Sequence, residues 1–222
     1  MLRKLYAGDR LHKTRFHDEK GNFAGWANVL RDGPTAVATG FMRIGLGYRP
    51  ELPWIAYSAI RRLRRFLTPQ SRVLEFGSGM STLWYAKRAG SVCAVEDNRE
   101  WYEKIDKVIR SKNLANVTYC LADNENDYSA FLNDDAAGFD LIMVDGSWRS
   151  ECIAKSAHLL KPGGMLYLDD SDKDSEPHGG DMRLAEERAR TLAKDRGGRI
   201  TLFTDFAPTQ FFAQQGLMVE VP

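Results

Sequence analysis

Acidic residues punctuate the apolar runs of this chain. Glu75 stands inside Val73–Phe76, Glu96 closes SVCAVE, Asp123 follows VTYCLA, Asp145 closes FDLIMVD, and the pair Asp169-Asp170 closes MLYLDD. Carboxylates gathered on one rim can accept hydrogen bonds from hydroxyl and amino groups, act as a base, or hold a hard cation. Between the first two acids lies Gly77-Ser78-Gly79, where missing Cβ atoms let the backbone approach a ligand closely. Glu96 falls 19 residues beyond Gly77, the spacing at which a carboxylate accepts hydrogen bonds from two ribose hydroxyls in nucleotide-binding α/β units. Glycine turn and acid together predict a nucleoside site.

The turn also says which nucleoside. A dinucleotide site uses G-x-G-x-x-G, with a pyrophosphate at the helix N-terminus. Here Thr82 takes the third glycine's place, and Glu75 sets negative charge just before the turn, a poor neighbour for pyrophosphate. A carboxylate suits a ligand with a cationic amino group and no phosphate. Glu75-Phe76-Gly77-Ser78-Gly79 resembles the first motif, E/D-x-G-x-G, of the class I S-adenosylmethionine-dependent methyltransferases, a resemblance that extends over about residues 54–222. It implies S-adenosylmethionine as cofactor, held by Glu75, Phe76, Gly77, Ser78 and Gly79, with Ser81 and Thr82 in the helix that follows. It places Glu96 on the ribose, Asp97 and Asn98 beside the adenosine, and Asp123 with Asn124 at the adenine amino group. Asp123 can equally cap the helix after it, and Trp101 reads either as an adenine contact or as a first-turn core aromatic.

The elements that must position these groups alternate. Apolar runs near 73–76, 91–96, 117–122, 139–145 and 165–170 read as strands, and the fourth is apolar almost throughout, as a parallel strand covered on both faces should be. Helical periodicity appears over 54–67, where Ile55, Ala59, Ile60, Leu63, Phe66 and Leu67 share a face, and again after Asn98, over Arg149–Leu160 and over Asp181–Arg196. Lys161-Pro162-Gly163-Gly164 reads as a helix stop, and L-L-K-P-G-G before an apolar strand is a further point of resemblance to the same family. Two last strands, 199–206 and 209–221, follow each other without a helix and must be antiparallel neighbours. The expected fold is α/β: a doubly wound, mostly parallel seven-stranded sheet with one antiparallel strand near the C-terminus. Ligands in such sheets bind outside the carboxyl ends of the strands, so Gly77, Glu96, Asp123 and Asp145 share one rim.

Residues 1–53 read as an extension that packs on the main domain, residues 54–222. Recurrent Gly and Pro there (Gly21, Gly25, Gly33, Pro34, Gly40, Gly45, Gly47, Pro50, Pro53) predict turns and short pieces. Tyr48, Trp54 and Tyr57 are candidates for the pocket wall or for packing. The net charge of +1 conceals an asymmetry: residues 1–72 carry 14 Lys and Arg against 5 Asp and Glu, the remainder 17 against 25. Such a basic segment either meets an anionic partner or lies against the acidic domain. No run approaches 18 apolar residues, no apolar signal core opens the sequence, and three cysteines without C-x-x-C spacing read as buried thiols, so a soluble cytoplasmic protein is expected.

The activity expected from the resemblance is methyl transfer to an oxygen nucleophile on a small molecule or carbohydrate, by in-line displacement. Nucleic acid is not the expected acceptor, because the fourth strand ends D-G-S-W and lacks the N/D-P-P-Y/F tetrapeptide of many amino-directed nucleic-acid enzymes. Catalytic candidates are Asp145, Asp170 and His178, the last in the polar loop SDKDSEPHGG. Asp145, Asp169 and Asp170 resemble in position the magnesium ligands of catechol-type O-methyltransferases, although Asp170 stands where that family has Asn. Two other readings stay open: an NAD(P)-dependent oxidoreductase on the same glycine turn, and a non-catalytic module of this fold binding an anionic partner through its basic third.

Overall fold

The computed structural model describes residues 7–173 and 179–222. The chain order is α1 (Trp26–Leu46), α2 (Tyr57–Phe66), β1 (Arg72–Phe76), α3 (Met80–Ala86), β2 (Ser91–Glu96), α4 (Arg99–Ser111), β3 (Val117–Leu121), α5 (Glu125–Ser129), β4 (Phe139–Val144), α6 (Arg149–Ser156), β5 (Leu160–Leu168), α7 (Gly179–Asp195), β6 (Arg199–Phe206) and β7 (Ala213–Glu220). Seven strands form one sheet in the order β3-β2-β1-β4-β5-β7-β6. The first five run parallel, and β7 is antiparallel to both neighbours. The order reverses between β1 and β4, the switch point at which crossing helices diverge and leave a crevice.

Alternation along the strands divides the core between the two faces. On one side Leu74, Phe76, Ile142, Val144 and Leu166 pack against Ile153 of α6 and Met182, Ala185 and Ala189 of α7. On the other, Val73, Leu141, Met143 and Tyr167 meet Ala59, Ile60 and Leu63 of α2 and Trp84 of α3. The predicted α/β topology, including the reversed strand, is the one observed.

The N-terminal third departs from expectation. Short bridges, Ala7 with Thr14 and His17 with Phe23, fit the predicted short pieces, but residues 26–46 form one helix of 21 residues. Glycines taken for breakers are seats for rings. Phe206 lies against Gly33, and a Cβ on Gly40 would stand 2.6 Å from the Phe211 ring. Pro34 faces outward. Here tertiary packing overrides propensity.

A second difference concerns Lys161–Gly164. Instead of separating helix from strand, the segment lies inside β5, after a 3-10 turn at Ala157–Leu159. It forms a bulge: Phe139 pairs with Leu160 but Leu141 with Met165. Basic residues of the first third meet acids of the rest, Lys20 with Glu186 at 2.8 Å, Arg61 with Asp205 at 3.5 Å and Arg62 with Glu220. All three cysteines are free, with Cys93 and Cys152 buried and Cys120 half-buried. Among the described residues no helix is long and apolar enough to cross a membrane.

Candidate cofactor and active site

β1 ends in a turn that only glycine can make. Gly77 has φ +89°, and a Cβ on it would lie 2.6 Å from the backbone nitrogen of Gly146. Gly146 is equally constrained, since its Cβ would fall 2.0 Å from the Tyr128 hydroxyl and 2.9 Å from the Gly77 Cα. The turns after β1 and β4 therefore rest backbone against backbone, fixed by the Asp145 N–H donating to the Phe76 carbonyl at 2.9 Å. The Gly146 contact went unnoticed in the sequence, where D-G after a strand was its sole signal.

Beneath the turn lies Glu75, almost wholly buried. Thr82 Oγ1 donates to Glu75 Oε2 at 2.6 Å and accepts from the Gly79 N–H at 3.1 Å. Burial pushes the Glu75 carboxyl up to about 8, against the opposing hydrogen bonds of Ser81 and Thr82. Glu75, Phe76 and Thr82 thus act from behind the turn, and their side chains do not form its outer surface. The physical reason is that β1, which carries Glu75 and Phe76, is covered on both faces, and that Thr82 lies in the buried part of α3.

Glu96 closes β2 as expected and reaches the turn. Its Oε2 accepts from the Ser78 N–H at 3.0 Å and the Ser78 hydroxyl at 2.7 Å, while Oε1 accepts from the Asn98 N–H at 3.1 Å. Burial raises this carboxyl above its ordinary range. The Ser78 hydroxyl also meets the Tyr119 hydroxyl at 2.6 Å. Asn98 caps α4 by accepting from the Trp101 N–H at 2.9 Å, and Trp101 Nε1 donates to the Ser78 carbonyl at 2.8 Å. Trp101 is therefore neither buried core nor free, but a clasp on the turn. Asp97 accepts from the Ser147 hydroxyl at 2.7 Å, joining the ends of β2 and β4. At the end of β3 the cap is Asn124, which accepts from the Asp127 N–H at 3.0 Å. Asp123 stays exposed, 4.0 Å from Arg99.

A pocket of about 80 Å³ opens on the turn, lined by Leu52, Trp54, Ser78, Gly79, Met80, Ser81, Trp101 and Asp145. The Arg49 guanidinium stands 5.3 Å from the Trp54 ring and 5.1 Å from the Trp101 ring, bridging them by cation–π attraction. Among the described residues Trp54 Nε1 is buried without an acceptor. A cleft of about 730 Å³ is lined by Gly146, Ser147, Trp148, Arg149, Asp170 and Lys173 among others.

The acidic rim carries its own cation, which sequence reasoning missed. Arg149 Nη2 lies 3.7 Å from Asp145 Oδ1 and 3.5 Å from Asp170 Oδ2. The same guanidinium donates through Nε to the Gly146 carbonyl at 2.9 Å and through Nη1 to the Asp169 carbonyl at 2.7 Å. Asp169 turns its carboxyl inward, towards Gln214 Nε2 and the Tyr167 hydroxyl, each at 3.4 Å. The expected magnesium set of Asp145, Asp169 and Asp170 does not fit a divalent ion as arranged. One carboxyl faces away and a guanidinium sits between the other two. Among the described residues no group of three His, Cys, Asp or Glu is disposed to hold a metal ion. Burial pushes Asp145 up to about 7, with Arg149 opposing and Asp170 adding to the rise. His178 lies outside the described residues.

No protein-family model and no curated protein matches the sequence. The likeness is one of structure. An O-methyltransferase from Bacillus cereus in complex with SAH superposes with a TM-score of 0.65 at 16% identity, over 85% of this chain and 99% of that one. An rRNA methylase from Streptococcus thermophilus gives 0.54 at 15% identity, over 74% and 95%. For Trm5b from Pyrococcus abyssi the TM-score is 0.51 at 19% identity, over 78% of this chain, which spans half the length of that protein. The superpositions cover most of the sheet and its flanking helices in one overall arrangement: the chain has the fold of the class I S-adenosylmethionine-dependent methyltransferases.

Proposed function

We propose that the protein is an S-adenosylmethionine-dependent methyltransferase that acts on an oxygen nucleophile of a small molecule or carbohydrate. The observation that carries this reading is the Gly77–Gly79 turn at the β1/β4 switch point, tied to Glu96 on one side and Asp145 on the other. The chain's residues fit the cofactor. Ser78 and Gly79 offer an open backbone, Glu96 offers a carboxylate for the ribose hydroxyls, and Asp97, Asn98, Asp123 and Asn124 border the adenosine side. Trp54 Nε1 is a buried donor in need of an acceptor, which a carboxylate supplies. When bound, the cofactor would supply an electrophilic sulfonium methyl group, with the neutral thioether as leaving group for the acceptor oxygen.

The protein's contribution is position and a proton acceptor. Asp145, poised near neutrality, takes the acceptor's proton, and Asp170 orients the acceptor hydroxyl. Arg149 holds both carboxylates apart and supplies the positive charge that a metal would otherwise bring. A cleft of about 730 Å³ is of small-molecule size and supports a compact acceptor. Pairing of Lys20, Arg61 and Arg62 with the chain's own acids argues against a nucleic-acid surface. An NAD(P) site is disfavoured by Thr82 in place of the third glycine.

Calorimetric titration with S-adenosylhomocysteine tests the cofactor. Binding is expected for the wild type and none for NADH. Glu96→Ala should lose roughly 2–4 kcal/mol of binding, the worth of two charge-assisted hydrogen bonds, and should also melt lower because the Ser78 and Asn98 N–H groups lose their acceptor, so binding is compared well below its transition. An unaltered dissociation constant would remove Glu96 from the site. A labelled-methyl screen over sugars, phenols, RNA and protein then identifies the acceptor class.

A further inference from the structure

The outward face of α1 is apolar over its whole length. Trp26 is 65% exposed, Leu30 75%, Val37 41%, Phe41 65% and Ile44 74%. At 100° per residue these five and exposed Pro34 fall within an arc of about 80° and extend roughly 27 Å along the helix. Phe23 prolongs the stripe, its ring 5.2 Å from Trp26. Together they expose on the order of 700 Å², beyond the largest patch of a typical monomer and close to the ~800 Å² each partner gives to a standard interface.

The spacing is that of a surface that fits itself. Leu30 and Phe41 are equidistant from one midpoint, and so are Pro34 and Val37. Trp26 is matched in the same way by Gly45. Gly33 and Gly40 have rings over them within this chain, whereas a Cβ on Gly45 would meet nothing within 4 Å. An antiparallel copy of α1 sets Leu30 against Phe41 and Pro34 against Val37, and lays the Trp26 indole over the open Gly45. Self-complementarity of this kind is what a two-fold interface requires.

Charge permits the same pairing. The helix holds three ionised residues, and each is engaged within its own chain. Arg31 donates to Asp32 at 3.0 Å, Arg61 donates to Asp32 at 2.8 Å, and Arg43 stacks over Trp54 at 4.6 Å. No like charges would face each other. A helix lying on a lipid surface would instead carry lysines and arginines along the border of its stripe.

We propose that two copies of the chain pair through α1, antiparallel, about a two-fold axis that passes between Pro34 and Val37. Sedimentation at tens of micromolar should give about twice the 25.1 kDa of one chain. Leu30→Glu and Phe41→Glu, both at exposed positions, should each give monomers with unchanged circular dichroism. The register has its own readout. Along the axes the two copies of residue 37 lie about 5 Å apart and those of residue 44 about 25 Å apart, so mild oxidation should cross-link Val37→Cys and leave Ile44→Cys uncoupled. Three results would overturn the proposal: a monomer at these concentrations, a dimer that survives both glutamates, or efficient cross-linking of Ile44→Cys but not Val37→Cys. So would a monomer that co-sediments with phosphatidylserine vesicles and is released from them by the same glutamates, which would assign the face to a membrane.

Discussion

Glu75 is the residue on which the glycine turn rests, and its ionisation links the turn to pH. Its folded value, about 8, stands above the ordinary carboxyl range, so the folded state holds the proton more tightly than the unfolded chain. The associated stability is complete below the ordinary glutamate range and is lost as pH rises towards 8. Between pH 4.5 and 7 the loss amounts to roughly 3 kcal/mol. Glu75→Gln keeps an acceptor for Thr82 and cannot ionise. Chemical denaturation from pH 5 to 8 should therefore decline in the wild type and run flatter in this variant; parallel curves would show that Glu75 is ionised throughout. Arg149 invites the complementary experiment. With its guanidinium removed in Arg149→Met, Asp145 and Asp170 are left without a counter-charge, and electron paramagnetic resonance should detect manganese binding that the wild type lacks. Manganese held by the wild type and lost in Asp145→Asn would restore the metal reading. The positions of Gly77, Glu96 and Asp145 were legible because they are local to strand ends. Arg149 was not, because its importance comes from Asp170, which follows the next strand, and the helical pattern after D-G-S-W marks it only as an N-terminal residue.

At the scale of elements, what matters is how closely two turns approach. The turns after β1 and β4 touch through Gly77 and Gly146, so Gly146→Ala must push either the Tyr128 hydroxyl or the Gly77 backbone aside. Overpacking of this kind costs about 1–3 kcal/mol. The variant should melt lower than the wild type and bind S-adenosylhomocysteine more weakly, since the displaced turn is the one facing the ligand; a calorimetric constant equal to the wild type's would show that the β4 turn yields alone. Strand alternation and the two helix-free strands at the C-terminus made the sheet readable from sequence. α1 was not readable, because Gly33 and Gly40 carry opposite meanings in isolation and beneath Phe206 and Phe211. Those phenylalanines lie more than 170 residues further along the chain, beyond the reach of any local pattern.

Across the whole molecule, part of the charge asymmetry of the sequence is met internally: Lys20, Arg61, Arg62 and Arg72 pair with acids of the later part, and contacts run the other way as well. Asp18 is fully buried and accepts from Thr204 at 3.1 Å and Gln215 at 3.0 Å, while Lys173 donates to Glu19 at 2.8 Å. The first third of the chain is thus stitched to the strands that end the sheet and to the segment after β5. The stretch after α1 then runs directly to the glycine turn, where Arg49 sits between Trp54 and Trp101. This arrangement has an optical consequence. Two indoles share Arg49 on the wall of the pocket, with Arg43 also over Trp54 and Lys104 over Trp101, and one indole is bonded to the turn itself, so their emission changes with whatever displaces these cations or shields the rings from water. Titration with S-adenosylhomocysteine should change the tryptophan fluorescence at the concentrations that calorimetry finds for binding, and Trp101→Phe should remove most of the change. The molecule carries its own reporter, readable before any acceptor has been identified.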